Sequence, residues 1–309
     1  MTNDLDIMVV EERYALQHIL GKGGMGMVFQ ATRRVDGVEV AIKMVDPVRN
    51  KEPADIVRRR FLGEAELATS LDHPNIIRAF HYGQTPSGRL FLVMELLEGK
   101  ALSTMLREPM DPRQVCVITA QLAHAVQAVH DAGVVHRDLK PDNVFVRETK
   151  KGRFEVKLLD FGLSRSATSD EKLTVTGTRV GAPYYMAPEY IATDSELGHS
   201  GDLYALGAMM FHMLTGEPPF GGNLHQVLTG HLGTPAPKVR ERVEDVPVGI
   251  DELVSRLLSK TPKERPDTAE QVAKKLEVLS RRGPGKGVLI GVFLALVVLV
   301  GALLVVLLS

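Results

Sequence analysis

The chain has 309 residues, of which 44% are hydrophobic and 24% are charged, a composition that excludes wholesale disorder. Its 37 basic and 38 acidic residues give a formal net charge of −1, which argues against a nucleic-acid-binding protein that depends on a large positive field. The single cysteine, Cys116, excludes an intrachain disulfide framework and a multi-cysteine zinc site, and it favours a reducing compartment.

The first third of the chain is predicted to be rich in strands. Residues 1–13 form a short polar leader, and β-branched or alternating runs separated by turn signals follow from Tyr14 to Glu95. One amphipathic helix interrupts these runs. The pattern predicts strands over residues 38–45, 76–82 and 90–95, and the helix over residues 58–71.

The remainder of the chain is predicted to be mainly helical. Apolar residues at spacings of three and four indicate helices around residues 115–129, 202–215, 250–259 and 268–279. A small strand-rich lobe therefore precedes a larger helical lobe, which is an α+β, bilobal arrangement. A cleft between two such lobes is a common place for a ligand.

A glycine-rich motif lies early in the strand-rich lobe. Residues 21–28 read GKGGMGMV and contain G-x-G-x-x-G, in which glycines let backbone amides approach phosphate oxygens closely. A dinucleotide-binding fold would need a helix directly after the last glycine, and a P-loop would need Gly-Lys-Ser/Thr. Neither feature is present. The motif is therefore interpreted as a strand-turn-strand flap over phosphates.

Lys43 ends the run Val40-Ala41-Ile42, where a strand would bury it at the wall of the cleft. A buried ammonium group needs anionic partners. Glu64 is the better candidate partner, because it shares a helix face with Leu67 whereas Glu66 lies on the other side. The alternative interpretation is that both residues are ordinary surface charges.

Two further motifs follow in the helical lobe. Residues 136–143 read HRDLKPDN, and Asp160-Phe161-Gly162 follows 17 residues after Asn143, since 160 − 143 = 17. Together with the glycine-rich motif and Lys43, they resemble in content and order the motifs of a eukaryotic-type (Hanks-type) serine/threonine protein kinase, of the bacterial membrane-anchored kind. The resemblance implies a bilobal kinase domain over residues 14–280, with an N-lobe at 14–95, a hinge at 95–99 and a C-lobe at 100–280.

The resemblance also implies roles for these residues and the partners of the reaction. Asp138 would accept the proton of the substrate hydroxyl, and Lys140 would contact the γ-phosphate of ATP. Asn143 and Asp160 would be ligands of Mg²⁺, or of Mn²⁺ in its place. The implied substrates are ATP and proteins that carry serine or threonine. Nucleic acid is not an expected partner.

Residues expected to bind ATP lie in the glycine-rich flap, on the strand that ends at Lys43 and at the hinge. Lys43 would hold the α- and β-phosphates with the support of Glu64, and the hinge backbone after Met94 would meet adenine. The full set is Leu20, Gly21, Gly23, Gly26, Val28, Ala41, Lys43, Glu64, Met94, Glu95 and Leu97.

Further family features are expected to support the site. Ala187-Pro188-Glu189 would end the activation segment, with Glu189 paired to Arg265, and Asp202 would anchor the backbone of the catalytic loop. Arg137 and Arg165 would form a basic pocket for a phosphothreonine. The candidate phosphorylation sites are Thr174 and Thr176, although a threonine-rich stretch is also common in unmodified polar loops.

One position departs from the family pattern. Where most relatives carry Gly-Thr before Ala-Pro-Glu, this chain has Gly181-Ala182, so a hydroxyl that would bond the catalytic Asp and Lys is missing. The alternative hypothesis is therefore a catalytically weak pseudokinase or a membrane-tethered docking module. The presence of Lys43, Asp138, Asn143 and Asp160 favours an active enzyme. A small-molecule kinase is disfavoured by the Ala-Pro-Glu motif and the long activation segment.

The last 23 residues, from Gly287 to Ser309, carry no charge. A helix over residues 287–308 would be about 30 Å long, which matches a bilayer core, whereas a buried core helix is the alternative. Residues 281–286 form a basic linker, and positive flanks stay on the cytoplasmic side. The expectation is a single-pass, C-terminally anchored protein of the cell membrane with its kinase domain in the cytoplasm. A stripe of small residues four apart allows a homodimer, but such residues are also common in unpaired membrane helices.

Overall fold

The amino-terminal lobe is built on a five-stranded antiparallel sheet. This computed structural model describes residue 10 and residues 12–23, 26–48, 53–160, 183–192 and 198–281. The sheet has the order β1-β2-β3-β5-β4. Its strands are β1 (Tyr14–Gly23), β2 (Gly26–Arg33), β3 (Glu39–Val45), β4 (Ala79–Gln84) and β5 (Leu90–Glu95).

One helix, α1 (Ala54–Ser70), covers one face of this sheet. Its Val57 and Phe61 pack against Val45, Leu90 and Leu92 of the strands. The opposite face forms a second apolar cluster around Ile42, Met44, Phe91 and Val93. Val10, which the sequence analysis placed in the polar leader, is only 2% exposed and belongs to this second cluster, so packing of the lobe begins before Tyr14.

The carboxy-terminal lobe is mainly helical. Its helices are α2 (Pro112–Asp131), α3 (Pro188–Ile191), α4 (Ser200–Thr215), α5 (Leu224–Gly233), α6 (Val248–Leu257) and α7 (Ala269–Arg281). A small sheet of β6 (Lys100–Ala101), β7 (Val144–Glu148) and β8 (Phe154–Leu158) lies on the same core. The bilobal α+β arrangement expected from the sequence is therefore present.

Local signals explain where several helices start and stop. Asp111 accepts hydrogen bonds from the backbone amides of Arg113 and Gln114, and Pro112 occupies the first position of α2. Gly216 ends α4 with a φ of 78°, a conformation that glycine adopts at low cost. Helix α5 was not predicted from the sequence. It starts at a capping box in which Asn223 and Gln226 each bond the backbone of the other.

One predicted strand is displaced. The sequence pattern predicted a strand over residues 76–82, but β4 begins at Ala79. Ile76 instead forms a parallel bridge with Leu158, the last residue of β8. The reason is that the backbone of this segment bonds the other lobe: Leu158 N donates to Asn75 O at 2.8 Å, and Ile77 N donates to Leu158 O at 2.9 Å.

The predicted membrane span lies outside the part of the chain that the structure describes. Among the described residues, no helix is both long enough and apolar enough to cross a bilayer. The span over residues 287–308 stays a prediction.

Candidate active site

The strand register brings several predicted ATP-binding residues to one face of the sheet. Val28 lies opposite Lys43, and Ala41 lies opposite Met94, so these four side chains point to the same side. Glu95 ends β5, and Leu97 follows it half-buried. The same face carries Val45, Leu90 and Leu92, which pack against α1.

The glycines of the flap have different structural roles. A Cβ on Gly21 would meet nothing within 4 Å, so its surface is open to a ligand. A Cβ on Gly26 would lie 2.0 Å from Met44 O, and its φ is 153°, so glycine is required there by packing against β3. Gly23 pairs with Gly26 at the end of the β1-β2 ladder, and Leu20 lies at a register shift, 45% exposed.

Lys43 lies between two carboxylates. Its Nζ donates to Glu64 Oε1 and to Asp160 Oδ1, both at 2.9 Å. Burial alone would lower the pKa of Lys43, but the two carboxylates outweigh it and raise that pKa above its usual value. Lys43 therefore remains a cation in the cleft. The contact with Glu64 was predicted from the helix face, whereas the contact with Asp160 was not predicted.

Glu64 is the member of this triad whose ionised form is least favoured. Burial raises its pKa to about 7, and the negative charge of Asp160 adds to that effect while Lys43 opposes it. Burial also tends to raise the pKa of Asp160, but Lys43 overrides it and the pKa of Asp160 is lowered. The ionised form is therefore favoured more at Asp160 than at Glu64.

The catalytic loop presents three of the predicted residues as one hydrogen-bonded group. Lys140 Nζ donates to Asp138 Oδ2 at 2.6 Å. Asn143 Nδ2 donates to the backbone oxygen of Asp138 at 2.9 Å and reaches Oδ2 at 3.3 Å. A carboxylate held in this way, 22% exposed, is positioned to accept a hydrogen bond from a hydroxyl group.

A buried aspartate supports this loop from below. Asp202 on α4 is 1% exposed. Its two carboxylate oxygens accept hydrogen bonds from the backbone amides of His136 and Arg137, each at 2.8 Å, and His130 Nε2 lies 2.8 Å from Oδ2. Arg137 has a φ of 63°, which is unfavourable for a residue with a side chain. Asp202 therefore holds a strained backbone in place immediately before Asp138.

A second buried ion pair connects α3 to the base of the lobe, as predicted. Arg265 donates from its two terminal nitrogens to Glu189 Oε1 at 2.6 Å and Oε2 at 2.9 Å. The guanidinium also lies 4.9 Å from the centre of the Tyr204 ring. This pair therefore ties α3 to the segment that contains Arg265.

Sequence reasoning missed one cation near the hinge. Lys157 Nζ donates to Glu95 Oε1 at 2.6 Å and to Ile76 O at 3.2 Å, and the same Glu95 oxygen accepts a hydrogen bond from Arg78 N at 2.8 Å. Lys157 on β8 thereby connects the hinge to both lobes. Side chains alternate between the two faces of β8, and Val156 and Leu158 face the core. This alternation would have indicated that the side chain of Lys157 points away from the core.

The predicted metal ligands fit a hard cation. Asn143 and Asp160 both carry oxygen atoms, and Leu159 N donates to Asn143 O at 2.9 Å, which ties the loop to the residue before Asp160. Within the described ranges, no group of three histidine, cysteine or acidic side chains is placed to hold a metal. Mg²⁺ commonly takes one or two protein oxygens together with phosphate oxygens, which suits this pair.

Of the predicted regulatory residues, the structure describes Arg137. Arg137 lies at the base of the catalytic loop, half-buried. Arg165, Thr174 and Thr176 lie outside the described residues, as does the Gly181-Ala182 dipeptide.

The comparisons with known proteins agree with this geometry. The model of the protein kinase domain family matches residues 14–276. The solved kinase domain of PknI from Mycobacterium tuberculosis, a double mutant, superposes with a TM-score of 0.64 at 23% identity and covers 86% of this chain and 95% of its own, which supports the fold.

Relatives with more similar sequences are named as serine/threonine-protein kinases. PknH of Mycobacterium bovis is 36% identical over 263 residues, 84% of this chain, and PknE of Mycobacterium tuberculosis is 35% identical over 254 residues, 82% of this chain. Pkn2 of Myxococcus xanthus is 34% identical over 292 residues, 91% of this chain. The aligned part is 43% of each of the first two proteins and 35% of the third. From its fold, its site and these matches, the chain belongs to the protein kinase family.

Proposed function

We propose that this chain is a serine/threonine protein kinase, which transfers the γ-phosphate of ATP to serine or threonine hydroxyls of proteins. The observation that carries the proposal is Lys43, held 2.9 Å from both Glu64 and Asp160, together with the hydrogen-bonded group around Asp138, whose Asn143 is bonded to the residue before Asp160. A buried cation and a positioned carboxylate in one site can bind a phosphate group and orient an attacking hydroxyl. The serine/threonine specificity is supported by Lys140 and by the names of the relatives.

The chain's own residues account for most of the transfer. Lys43 binds phosphate oxygens and remains charged because two carboxylates raise its pKa. Asp138 accepts the hydrogen bond of the substrate hydroxyl. It takes the proton as the bond from that oxygen to the γ-phosphorus forms and the bond from the γ-phosphorus to the bridging oxygen breaks, which releases ADP. Lys140, 2.6 Å from Asp138, neutralises part of the charge that develops on the transferred group.

Asn143 and Asp160 would hold the magnesium ion. When it is bound, Mg²⁺ neutralises negative charge on the phosphate oxygens. A Mg²⁺ ion held there would bind the Asp160 carboxylate that also accepts a hydrogen bond from Lys43. Mn²⁺ has the same preference for oxygen ligands and is expected to substitute for Mg²⁺.

The test is a labelled-ATP assay of the full chain beside Lys43→Met. Loss of a hydrogen bond to a charged group corresponds to about 1.5–3 kcal/mol, so incorporation of label is expected to fall roughly 10- to 150-fold. The matched control is Lys151→Met, which removes an exposed cation from the turn between β7 and β8 and is expected to leave the rate unchanged. Equal incorporation by the wild type and Lys43→Met would rule out the proposed role of the cleft.

We also propose that the active protein phosphorylates itself on Thr174 or Thr176, with Arg137 and Arg165 forming the pocket that receives the phosphate. Two arginines near one phosphate provide charge-assisted hydrogen bonds that order a loop. Mass spectrometry of protein incubated with ATP is expected to find at least one of the two threonines modified. An active protein with neither residue modified would contradict this proposal.

The membrane location is part of the same proposal. The uncharged segment 287–308 would cross the bilayer once, and the basic residues before it would stay on the cytoplasmic side with the kinase domain. Concentration in the membrane plane would favour phosphorylation of one copy by another, with or without a stable homodimer.

The second candidate function is a weakly active kinase that signals by docking. It is favoured by Ala182, which lacks the hydroxyl expected at that position. If restoring the hydroxyl by Ala182→Thr raised incorporation of label well above wild type, the low activity would be attributed to this residue.

A further inference from the structure

Helix α7, the last described helix, carries acidic, apolar and basic side chains that make different contacts. Its acidic residues Glu270 and Glu277 point to His124 on α2, with carboxylate oxygens 3.1 Å from Nδ1 and 2.9 Å from Nε2. Its Val272 and Leu276 are buried in the core of the lobe. These four residues are therefore used for contacts within the protein.

The outward face of α7 is basic. Lys274, Lys275, Val278 and Arg281 are exposed and lie at spacings of three and four, so they share one side of the helix. Lys274 pairs with Glu270 at 3.1 Å, whereas Lys275 and Arg281 form no ion pair within the described part of the chain. Val278, 51% exposed, places an apolar side chain among these cations.

A second exposed apolar residue lies beside this face. Val248, at the start of α6, is 52% exposed. The two helices touch here, because a Cβ on the next residue, Gly249, would lie 2.9 Å from a methyl carbon of Leu279 on α7. Val248 and Val278 are therefore two apolar side chains at the edge of a basic surface, a composition that suits the interface of an anionic bilayer.

The position of this face in the chain limits its distance from a membrane. From Arg281 to Gly287 there are 287 − 281 = 6 residue steps, which can span at most about 20 Å. Lys274 lies seven residues before Arg281, or about 10 Å along the helix. If the segment from Gly287 enters a bilayer, the whole basic face lies within about 30 Å of the membrane surface, whatever the conformation of the linker.

We propose that this face, made of Lys274, Lys275, Val278 and Arg281 with Val248 beside it, rests on anionic lipid headgroups and fixes the orientation of the kinase domain on the membrane. The inference rests on the membrane anchor of the proposed function and adds a second, electrostatic contact to it. Each basic residue near an anionic surface favours the contact by about fivefold. Lys275 and Arg281, whose charges are not offset by an ion pair among the described residues, together therefore favour the docked orientation by roughly 25-fold.

The test uses the full chain reconstituted in vesicles and one fluorescent label. Cys116 is buried, so a label directed to Val278→Cys reports on this face alone. We expect lipids that carry a quencher in the headgroup to quench this label in vesicles containing phosphatidylglycerol, and much less in phosphatidylcholine alone. At 1 M salt the quenching should disappear, because the screening length falls to about 3 Å. A label at Val35→Cys, 87% exposed in the other lobe, should not be quenched.

A charge variant distinguishes an electrostatic contact with the lipid headgroups from simple proximity of the label to the membrane. The triple variant Lys274→Gln, Lys275→Gln and Arg281→Gln should lose the quenching of the label at residue 278. The matched variant Lys150→Gln, Lys151→Gln and Arg153→Gln removes three exposed cations elsewhere and should retain it. Quenching that is equal in both lipids, or that survives the first triple variant, would overturn the proposal.

Alkaline carbonate extraction distinguishes this surface from the anchor. Protein that resists extraction but shows no quenching retains the anchor and overturns the docking face. Protein that is extracted, yet shows quenching dependent on phosphatidylglycerol before extraction, supports the docking face without the anchor. Extraction without any quenching overturns both.

Discussion

Replacing Asp138 by asparagine is expected to lower the rate of phosphate transfer at saturating ATP by roughly 10²- to 10⁴-fold, the usual contribution of a positioned general base. Asparagine keeps the size of the side chain and an oxygen that can accept a hydrogen bond from Lys140, but its amide cannot take the proton of the substrate hydroxyl. Binding of ATP should change little, since Lys43 keeps its contacts with Glu64 and Asp160 in this variant.

Stability provides the first control for this prediction. The Asp138-Lys140 pair is partly exposed, with 22% and 24% of the two side chains accessible, and such pairs contribute about 1 kcal/mol or less. The melting temperature of Asp138→Asn should therefore stay close to that of the wild type. The matched variant is Asp142→Asn, which makes the same chemical change at an exposed position in the same loop and should leave the rate unchanged. A variant of Asp138 that transfers phosphate at the wild-type rate would exclude it as the base.

The sequence alone predicts contacts between residues that are close in the chain. It also predicts a contact with a distant residue when only one acidic side chain of a helix lies on the buried face. The residues of the catalytic loop lie within eight positions of one another, so their spacing already predicts the group around Asp138. The Glu64 contact was predicted although its partner Lys43 lies 21 positions away, because only one acidic residue of α1 shares the buried face. Periodicity thus predicts which face is buried.

Periodicity does not predict which distant residue meets that face. Asp160 reaches Lys43 across 117 positions, and Lys157 reaches Glu95 across 62, and both contacts depend on how the two lobes are placed. The displaced strand has the same cause. Residues 76–78 have the pattern of a strand, but the backbone of Asn75 and Ile77 bonds Leu158 of β8 in the other lobe, so Ile76 forms a bridge with Leu158 and not with a strand of the first sheet.

Helix α5 shows a different limit. Of its residues, only Val227, Gly230 and His231 are buried, too few to produce a clear apolar stripe. Its carboxy-terminal carbonyls are instead bonded by Lys260, whose Nζ donates to Gly230 O at 2.8 Å and to His231 O at 2.9 Å. The helix is therefore stabilised by a distant cation that no local pattern contains.

Replacing Arg265 by methionine is expected to destabilise the kinase domain by about 3–5 kcal/mol, the usual result of removing one partner from a buried ion pair. Arg265 is 1% exposed, and besides Glu189 it donates to Ser259 O at 2.9 Å and Ser200 O at 2.8 Å. Without it, the carboxylate of Glu189 and these carbonyl oxygens lose their donors in the interior. Denaturant unfolding measures the loss, and phosphate transfer should fall with the fraction of protein that stays folded.

A double-mutant cycle assigns this loss to the ion pair. Glu189→Gln removes the buried negative charge but keeps an oxygen for Arg265, so it should cost less than Arg265→Met. The double variant should be less destabilised than the sum of the two single changes, since no unpaired charge remains in the interior. The control is Arg242→Met, whose exposed pair with Glu217 spans 3.9 Å and should contribute less than about 1 kcal/mol. Strict additivity in the cycle would mean that the charges of Arg265 and Glu189 are not coupled and that Arg265 acts through its contacts with the backbone carbonyls alone.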